Sequence, residues 1–213
     1  MTTLAERVGG AAYLPKVEYR GLALGEDGLA DVEFEDCVFA ECTLGPATLR
    51  RVTFRTCVFQ DCDLGMVKLV DCGFVECRLE RCRAMGVTWA GAEHSLIAQV
   101  PFAFTDCNLD LSSFAGARVA GSVFRACSLR EVDFTEADLR RVDFGGSDLA
   151  RARFVRTDLR EALLVDAVNV ALDPRENRLQ GASFSVVGAL ELLAPFGVLI
   201  GQESGSLPGP EAR

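Results

Sequence analysis

Residues 132–151 read VDFTE-ADLRR-VDFGG-SDLAR, which is four five-residue units of the form small–polar–Leu/Phe–x–x. The same spacing runs from Leu14 to Phe184. Of the 35 residues taken at every fifth position, 27 are Leu or Phe, and they include 12 of the 14 Phe in the chain. Neither the period of about 3.6 residues of a helix nor the period of about 2 of a simple strand produces this spacing. The fixed period therefore predicts a solenoid.

The second regular position of the unit is small and lies two residues before the large one, as Ala137 does before Leu139. Two residues apart on an extended backbone, both side chains point to the same side. A large and a small side chain together fill an interior without crowding it. The remaining positions are largely polar, so we expect them to face solvent.

A longer period of twenty residues lies inside the short one, because Phe34, Phe54 and Phe74 are spaced by twenty. Four units then make one square coil, and stacked coils lie about 4.8 Å apart. The repeats predict about eight and a half coils, a rod roughly 40 Å long. On a constant spacing of twenty, the Phe column continues from Phe74 through His94 to Phe114.

These units resemble the repeats of the pentapeptide-repeat proteins, over about four-fifths of the chain. The resemblance implies an all-β solenoid, a right-handed quadrilateral β-helix of residues 14–184 that follows a lead-in of residues 1–13. Residues 177–181 (NRLQG) and 189–201 (ALELLAPFGVLIG) resemble the tail of the Qnr and MfpA fluoroquinolone-resistance proteins. That narrower resemblance implies a non-enzymatic homodimer that imitates duplex DNA and protects a type II topoisomerase, DNA gyrase or topoisomerase IV. The alternative is a structural or scaffolding repeat protein with another partner.

Composition is that of one folded domain without a membrane segment. The chain has 213 residues and 49% apolar content, and it contains no run of about 18 apolar residues. Residues 1–7 include an acidic side chain and no apolar run, so they do not form a secretory signal. We expect a cytoplasmic protein that does not bind membranes.

The nine cysteines share the small-residue position, which favours core packing over chemistry. Some spacings superficially match metal-ligand or disulfide patterns. Free Cys is a good small buried hydrophobe, and reduced thiols fit a cytosolic protein. We expect two stacks of buried, reduced cysteines, Cys37/Cys57/Cys77 and Cys42/Cys62/Cys82.

No catalytic constellation is evident, so the sequence predicts no enzyme, cofactor or metal. The one histidine, His94, has no nucleophile partner by pattern, and we interpret it as a packed or loop residue. Phosphate-binding and dinucleotide-binding glycine motifs are missing from the sequence.

One stretch departs from the repeat, with Ala84, Trp89, His94 and Gln99 at four successive interior positions. Residues 84–103 then form either a distorted coil or a projecting loop. A tolerated packing defect and a recognition loop are both open readings. In the second reading Glu93, His94 and Gln99 are candidate partner-binding residues.

Charge is uneven along the rod. Residues 18–80 carry 13 acidic and 6 basic side chains, whereas residues 125–161 carry 8 of each. An acidic N-terminal half disfavours direct binding of nucleic acid. About 40 Å of duplex DNA carries roughly 24 charges, and the net charge of −9 is less than half of that. Mimicry therefore depends on where the acids lie, and the candidates are Asp31, Asp36, Glu41, Asp61, Asp71 and Glu76.

After Phe184 the apolar residues take helical spacing and end near Pro195, which cannot continue a helix interior. An open solenoid end must be covered. Residues 185–201 could cap their own rod or join two rods about a two-fold axis, and residues 202–213 are expected to be disordered. The predicted dimer contacts are Val187, Leu190, Leu193, Phe196, Val198, Leu199 and Ile200.

Overall fold

The structure, a computed structural model, describes residues 3–25, 28–92, 102–193 and 196–198. The described chain winds into a parallel β-solenoid of about eight turns, which confirms the predicted fold class. The large and small positions of each unit face the interior and form one continuous core from Leu4 to Leu172.

Short parallel strands make up the faces of the solenoid, and all of their pairings join one coil to a neighbouring coil. The strands are β1 Tyr13–Pro15, β2 Glu18–Arg20, β3 Leu29–Glu35, β4 Val38–Ala40, β5 Thr48–Arg55, β6 Val58–Gln60, β7 Lys68–Val70, β8 Gly73–Val75, β9 Arg78–Glu80, β10 Ala103–Thr105, β11 Val123–Arg125, β12 Leu163–Leu164 and β13 Ser183–Phe184. One sheet has the strand order β1-β3-β5-β7, and β8 also pairs with β5. A second sheet has the order β11-β10-β9-β6-β4-β2, and β12 pairs with β13.

Most coils contain twenty residues, as the sequence predicts. Phe34 lies beside Phe54, and Phe39 lies beside Phe59, in the strand register. The rings of Phe39 and Phe59 stack with centroids 4.8 Å apart, while Phe34 and Phe39 meet edge to face at 5.2 Å. Aromatic columns therefore pack both along the rod and across it.

One coil contains twenty-five residues, so the prediction of a constant spacing of twenty is wrong at this point. Arg78 pairs with Ala103, Leu79 with Phe104, and Thr88 forms a bridge with Ser113. The excess is one whole unit, and the five-residue phase is therefore unbroken on either side of it.

The longer coil changes which residues share a column. Trp89 is buried, and its ring stacks on the ring of Phe114 with centroids 5.9 Å apart. Trp89 therefore occupies the place next to Phe114 that a constant spacing of twenty residues assigns to His94. Phe74 meets Trp89 edge to face at 5.5 Å. Ala84 and Trp89 are interior, as predicted, but the column from Phe74 through His94 to Phe114 does not exist. His94 lies outside the described residues.

The small interior residues also connect the coils by hydrogen bonds. The backbone N–H of Cys42 donates to Sγ of Cys62 in the next coil at 3.4 Å. The N–H of Cys127 donates to Oγ of Ser147 at 2.9 Å, and that hydroxyl donates to the carbonyl of Phe124 at 2.6 Å. A small side chain with a donor and an acceptor thus satisfies peptide groups of the coil below it.

All nine cysteines are buried and free, and the two predicted stacks are confirmed. The second stack extends further than predicted, because the N–H of Cys82 donates to Sγ of Cys107 at 3.4 Å. The neighbouring thiol of Cys107, together with burial, raises the pKa of Cys82 to about 12. The neighbouring thiol of Cys127 and burial likewise raise the pKa of Cys107 to about 12.

Two short helices flank the solenoid. Helix α1, Leu4–Val8, begins at a capping box formed by Thr3 and Glu6 and buries Leu4 and Val8 against the first coil. Helix α2, Val186–Glu191, begins at Ser185, whose hydroxyl accepts a hydrogen bond from the N–H of Gly188. No helix of the described residues is long and apolar enough to cross a membrane.

Burial of all nine cysteines predicts inert thiols in the folded protein, and the raised pKa values of Cys82 and Cys107 act in the same direction. At pH 8 a thiol with a pKa of about 12 is ionised in about one molecule in ten thousand, and the thiolate is the reactive form. We expect a colorimetric disulfide reagent to label fewer than one of the nine cysteines in the native protein, at pH 8 or at pH 9, and all nine in guanidinium chloride. Rapid labelling of several native cysteines would contradict the stacked core.

Candidate partner-binding surfaces

The corners of the coil carry the predicted acidic candidates. Each corner residue has a positive φ because the chain turns there, and all six acids occupy such corners with φ between 53° and 57°. The left-handed region is uncommon for residues other than glycine, although Asp tolerates it better than most. All six side chains are exposed on the edges of the rod.

Half of these acids are neutralised by arginine, which the sequence analysis did not anticipate. The Nε of Arg51 lies 2.5 Å from Oδ1 of Asp31, and the Nε of Arg81 lies 2.8 Å from Oδ1 of Asp61. A hydrogen bond from the guanidinium lowers the pKa of each aspartate. Both pairs are twenty residues apart, and the coil length was therefore the signal that could have identified them.

Glu41 is the third paired acid, because its Oε1 lies 2.8 Å from Nη1 of Arg20. The carboxylate of Asp36 accepts a hydrogen bond from the hydroxyl of Thr56, which brings no positive charge. Asp36, Asp71 and Glu76 have no Lys or Arg within ion-pair distance among the described residues. We call these three the unpaired acids. The negative charge available to a partner is therefore smaller than the sequence count indicates.

Near the unpaired acids lie two further carboxylates of the same face. Glu35 accepts a hydrogen bond from the hydroxyl of Tyr13, and this contact raises the pKa of that tyrosine. Glu33 is paired with Arg55 at 2.5 Å. Asp36 and Glu76 occupy one corner column, with Thr56 between them and Lys16 at its N-terminal end.

The C-terminal coils are neutral because their charges pair locally. Arg140 donates to Asp138 through two nitrogens, at 2.8 and 2.7 Å, and Arg160 does the same to Asp158 at 2.8 and 2.6 Å. The arginine in each pair lowers the pKa of the aspartate. Six of the eight acids and six of the eight bases of residues 125–161 therefore form ion pairs with each other.

The tail combines a cap with an exposed apolar surface. Leu192 packs against the core, as do Leu179 and Phe184, so the tail covers part of the last coil. Val187 is 68% exposed and Leu190 is 38% exposed. Phe196 and Val198 are also exposed, and the Phe196 ring contacts the Arg175 guanidinium 5.1 Å from its centroid. Of the predicted dimer contacts, Leu193 is half-buried, and Leu199 and Ile200 lie outside the described residues.

The predicted loop residues Glu93, His94 and Gln99 also lie outside the described residues. Among the described residues, no group of three or more His, Cys, Asp and Glu side chains could hold a metal ion. The described surface carries charged edges and exposed apolar side chains.

A parallel four-sided solenoid with a stacked interior of Phe, Leu and Cys defines a repeat protein of the β-helix class. A sequence model of the pentapeptide repeat region matches residues 32–100 and 98–164. This match covers more than half of the chain, which belongs to the pentapeptide-repeat family.

Solved structures of other repeat proteins resemble this fold. Two trypsin-treated variants of QnrB1, a plasmid-mediated fluoroquinolone resistance protein, are each 17% identical to this chain. The match to the first has a TM-score of 0.70 and covers 90% of this chain and 100% of the QnrB1 chain. The match to the second has a TM-score of 0.59 and covers 88% of this chain and 99% of the QnrB1 chain. HetL, a protein involved in heterocyst differentiation regulation from the cyanobacterium Nostoc sp. strain PCC 7120, is 18% identical, with a TM-score of 0.51 and coverage of 86% and 92%. At these identities the likeness is one of fold. A search of curated proteins gave no match.

Proposed function

We propose that this protein is a non-enzymatic, cytoplasmic homodimer that binds DNA gyrase or topoisomerase IV in place of DNA. It would protect that enzyme from fluoroquinolones or from a natural topoisomerase poison. The observation that carries the proposal is the straight β-helical rod with unpaired acids on the edges of its N-terminal half. The fold likeness to a fluoroquinolone resistance protein supports the same assignment.

The proposed mimicry of DNA depends on the shape of the rod and on the positions of its acidic side chains more than on the total charge of the protein. Ion pairs neutralise Asp31, Glu41 and Asp61. The acids that remain unpaired are Asp36, Asp71 and Glu76, on two corner columns of the rod. Fixed negative charges on a rod can contact the basic side chains of a DNA-binding groove, which otherwise contact the phosphates of DNA.

A scaffolding role with another protein partner is the second candidate. The observation that favours it is the extent of ion pairing, which leaves the rod far less negative than duplex DNA. The fold alone does not distinguish the two candidates, since HetL shares it and is involved in heterocyst differentiation regulation.

Neutralising the unpaired acids tests the first candidate. In a supercoiling assay with gyrase and a fluoroquinolone, we expect Asp36→Asn, Asp71→Asn and Glu76→Gln together to raise the protein concentration needed for protection by about tenfold. That is the size expected for three exposed charge contacts. The folded structure should be unchanged by circular dichroism because all three side chains are exposed.

A matched control has the same change in charge at the other end of the rod. Glu161→Gln, Asp166→Asn and Glu176→Gln are exposed substitutions in the C-terminal half, and they should leave protection unchanged. Equal loss in both variants would attribute protection to total charge. Wild-type protein that neither binds nor protects either topoisomerase would reject the proposal and leave the scaffolding candidate.

The exposed face of α2 tests the assembly. Val187→Asp with Leu190→Asp would place unpaired charge in a dimer contact, which is strongly unfavourable, yet both positions are exposed in one chain. We expect this variant to be monomeric by light scattering and to keep its β-helix by circular dichroism, with reduced protection of gyrase.

The control for this experiment is Met66→Asp, which changes an equally apolar side chain that is 60% exposed far from the tail. It should remain dimeric. A wild-type protein that is monomeric at micromolar concentration would show that the tail only caps its own rod.

A further inference from the structure

The hydrogen bonds between coils follow three regular series along the corner and face that contain Phe134. The N–H of Glu131 donates to the carbonyl of Ala150 at 2.9 Å, that of Phe134 to Arg153 at 2.9 Å, and that of Glu136 to Val155 at 2.9 Å. The preceding coil repeats all three bonds, from Leu111, Phe114 and Gly116. In each of these three series, the N–H group donates to the carbonyl of the residue nineteen positions later in the chain.

The next coil interrupts all three series. The N–H groups of Arg151, Phe154 and Arg156 have no hydrogen-bond partner among the described residues, and neither does the carbonyl of Ala152. On one side of this gap, Leu149 still bonds to Val168 at 3.0 Å. On the other side the ladder resumes, where the N–H of Leu159 donates to the carbonyl of Arg178 at 2.8 Å.

The interruption has a cause in the sequence. The two interior positions between Leu164 and Leu179 hold Asn169 and Pro174 in place of Leu or Phe. Asn169 has a positive φ, and Val170 and Leu172 are buried instead. Proline fixes its own φ, removes a donor and restricts the residue before it. Residues 169–175 therefore leave the register of the coil beneath them.

An open cleft of about 1110 Å³ lies between residues 150–154 and residues 169–173, with Glu191 of α2 also at its wall. Its floor is apolar, because Ala152, Phe154, Val170 and Leu172 are buried beneath it. The volume is slightly larger than the range of about 300–1,000 Å³ that is typical for binding pockets. The cleft thus joins an apolar floor to backbone N–H and C=O groups that have no hydrogen-bond partner among the described residues.

The walls of the cleft carry side chains of both charges, and among its arginines Arg153 is the one without an ion-pair partner among the described residues. The side chain of Arg153 is exposed. Arg151 pairs with Glu131 outside the cleft at 3.2 Å, but its side chain remains 80% exposed. Of the acids of the wall, Asp148 pairs with Arg130 at 2.7 Å and Asp173 pairs with Arg175 at 2.6 Å. Glu191 has no ion-pair partner among the described residues, so the acidic side chain of a bound segment would have to lie at the Arg153 end of the cleft.

We infer that this cleft binds an extended segment of another protein as an added strand. The segment would accept hydrogen bonds from the N–H groups of Arg151 and Phe154 and donate one to the carbonyl of Ala152. Strand addition to an open edge is a common mode of peptide recognition, in which side-chain pockets give the specificity. An apolar side chain would lie on the floor and an acidic one beside Arg153. This interaction goes beyond the proposed function and does not depend on it.

The test uses the full chain and a fluorescein-labelled synthetic peptide, Val-Glu-Val-Glu-Val, with Val-Lys-Val-Lys-Val as its counterpart. Fluorescence anisotropy should show that the acidic peptide binds more tightly, by roughly five- to tenfold. Arg153→Glu should reverse that preference. Arg141→Glu is the matched control, because Arg141 is an exposed arginine of another corner, outside the cleft, and it should keep the preference for the acidic peptide.

Amide hydrogen exchange supplies the second measurement. The amides of Arg151 and Phe154 should exchange rapidly in the free protein and become protected when the acidic peptide is bound. Absence of protection, or an unchanged preference in Arg153→Glu, would overturn the inference. A third result would also overturn the inference. If the amides are protected in the free protein and lose that protection when residues 199–213 are deleted, the chain's own tail fills the cleft. Protection that depends on protein concentration would identify a second copy as the occupant and would equally overturn it.

Discussion

Hydrogen bonding between successive coils is the constraint on which the rest of the structure depends. A coil has no strand neighbour within itself, so its peptide groups must be satisfied by the coils above and below. That requirement fixes the coil spacing at about 4.8 Å and places like positions over like positions. Interior columns then hold side chains of matched size, such as the Phe39 and Phe59 rings that stack at 4.8 Å. Where the side chain is Cys or Ser, it also bonds to the backbone of the neighbouring coil.

The five-residue phase was predictable because burial acts on every unit, and it identified both the fold class and the buried cysteines. The five-residue phase did not determine the number of residues in each coil, because an extra unit of five residues leaves that phase unbroken. Two residues carried the missing signal. Phe102 occupies a position that elsewhere is small, and Cys107 lies twenty-five residues after Cys82, so that the Cys column continues only if that coil is longer. To predict which residues pair between successive coils, the residue types within each interior column were needed in addition to the five-residue phase.

Exposure of the acidic candidates also followed from the phase, since polar positions face solvent. Their ion pairs did not, because a count of charges contains no geometry: Arg51 neutralises Asp31 only because one coil returns the chain to the same corner. The cleft was signalled by Asn169 and Pro174 at interior positions, yet the repeat on either side of them concealed the break. The same rule thus explains the regular part of the rod and the place where its backbone is left open. The proposals involve three separate surfaces, which are the charged edges, the apolar tail and the open backbone edge of the cleft, and each surface is tested by different variants.

The positions of the sulfur atoms in an anomalous diffraction experiment test the central claim, which is that stacking fixes the register even through a longer coil. The account predicts that Cys42, Cys62, Cys82, Cys107 and Cys127 place their sulfur atoms in one row with equal steps near the coil spacing of about 4.8 Å. The step from Cys82 to Cys107 should match the others although it spans twenty-five residues. A doubled step there, or a Cys107 sulfur on another face of the rod, would contradict the account.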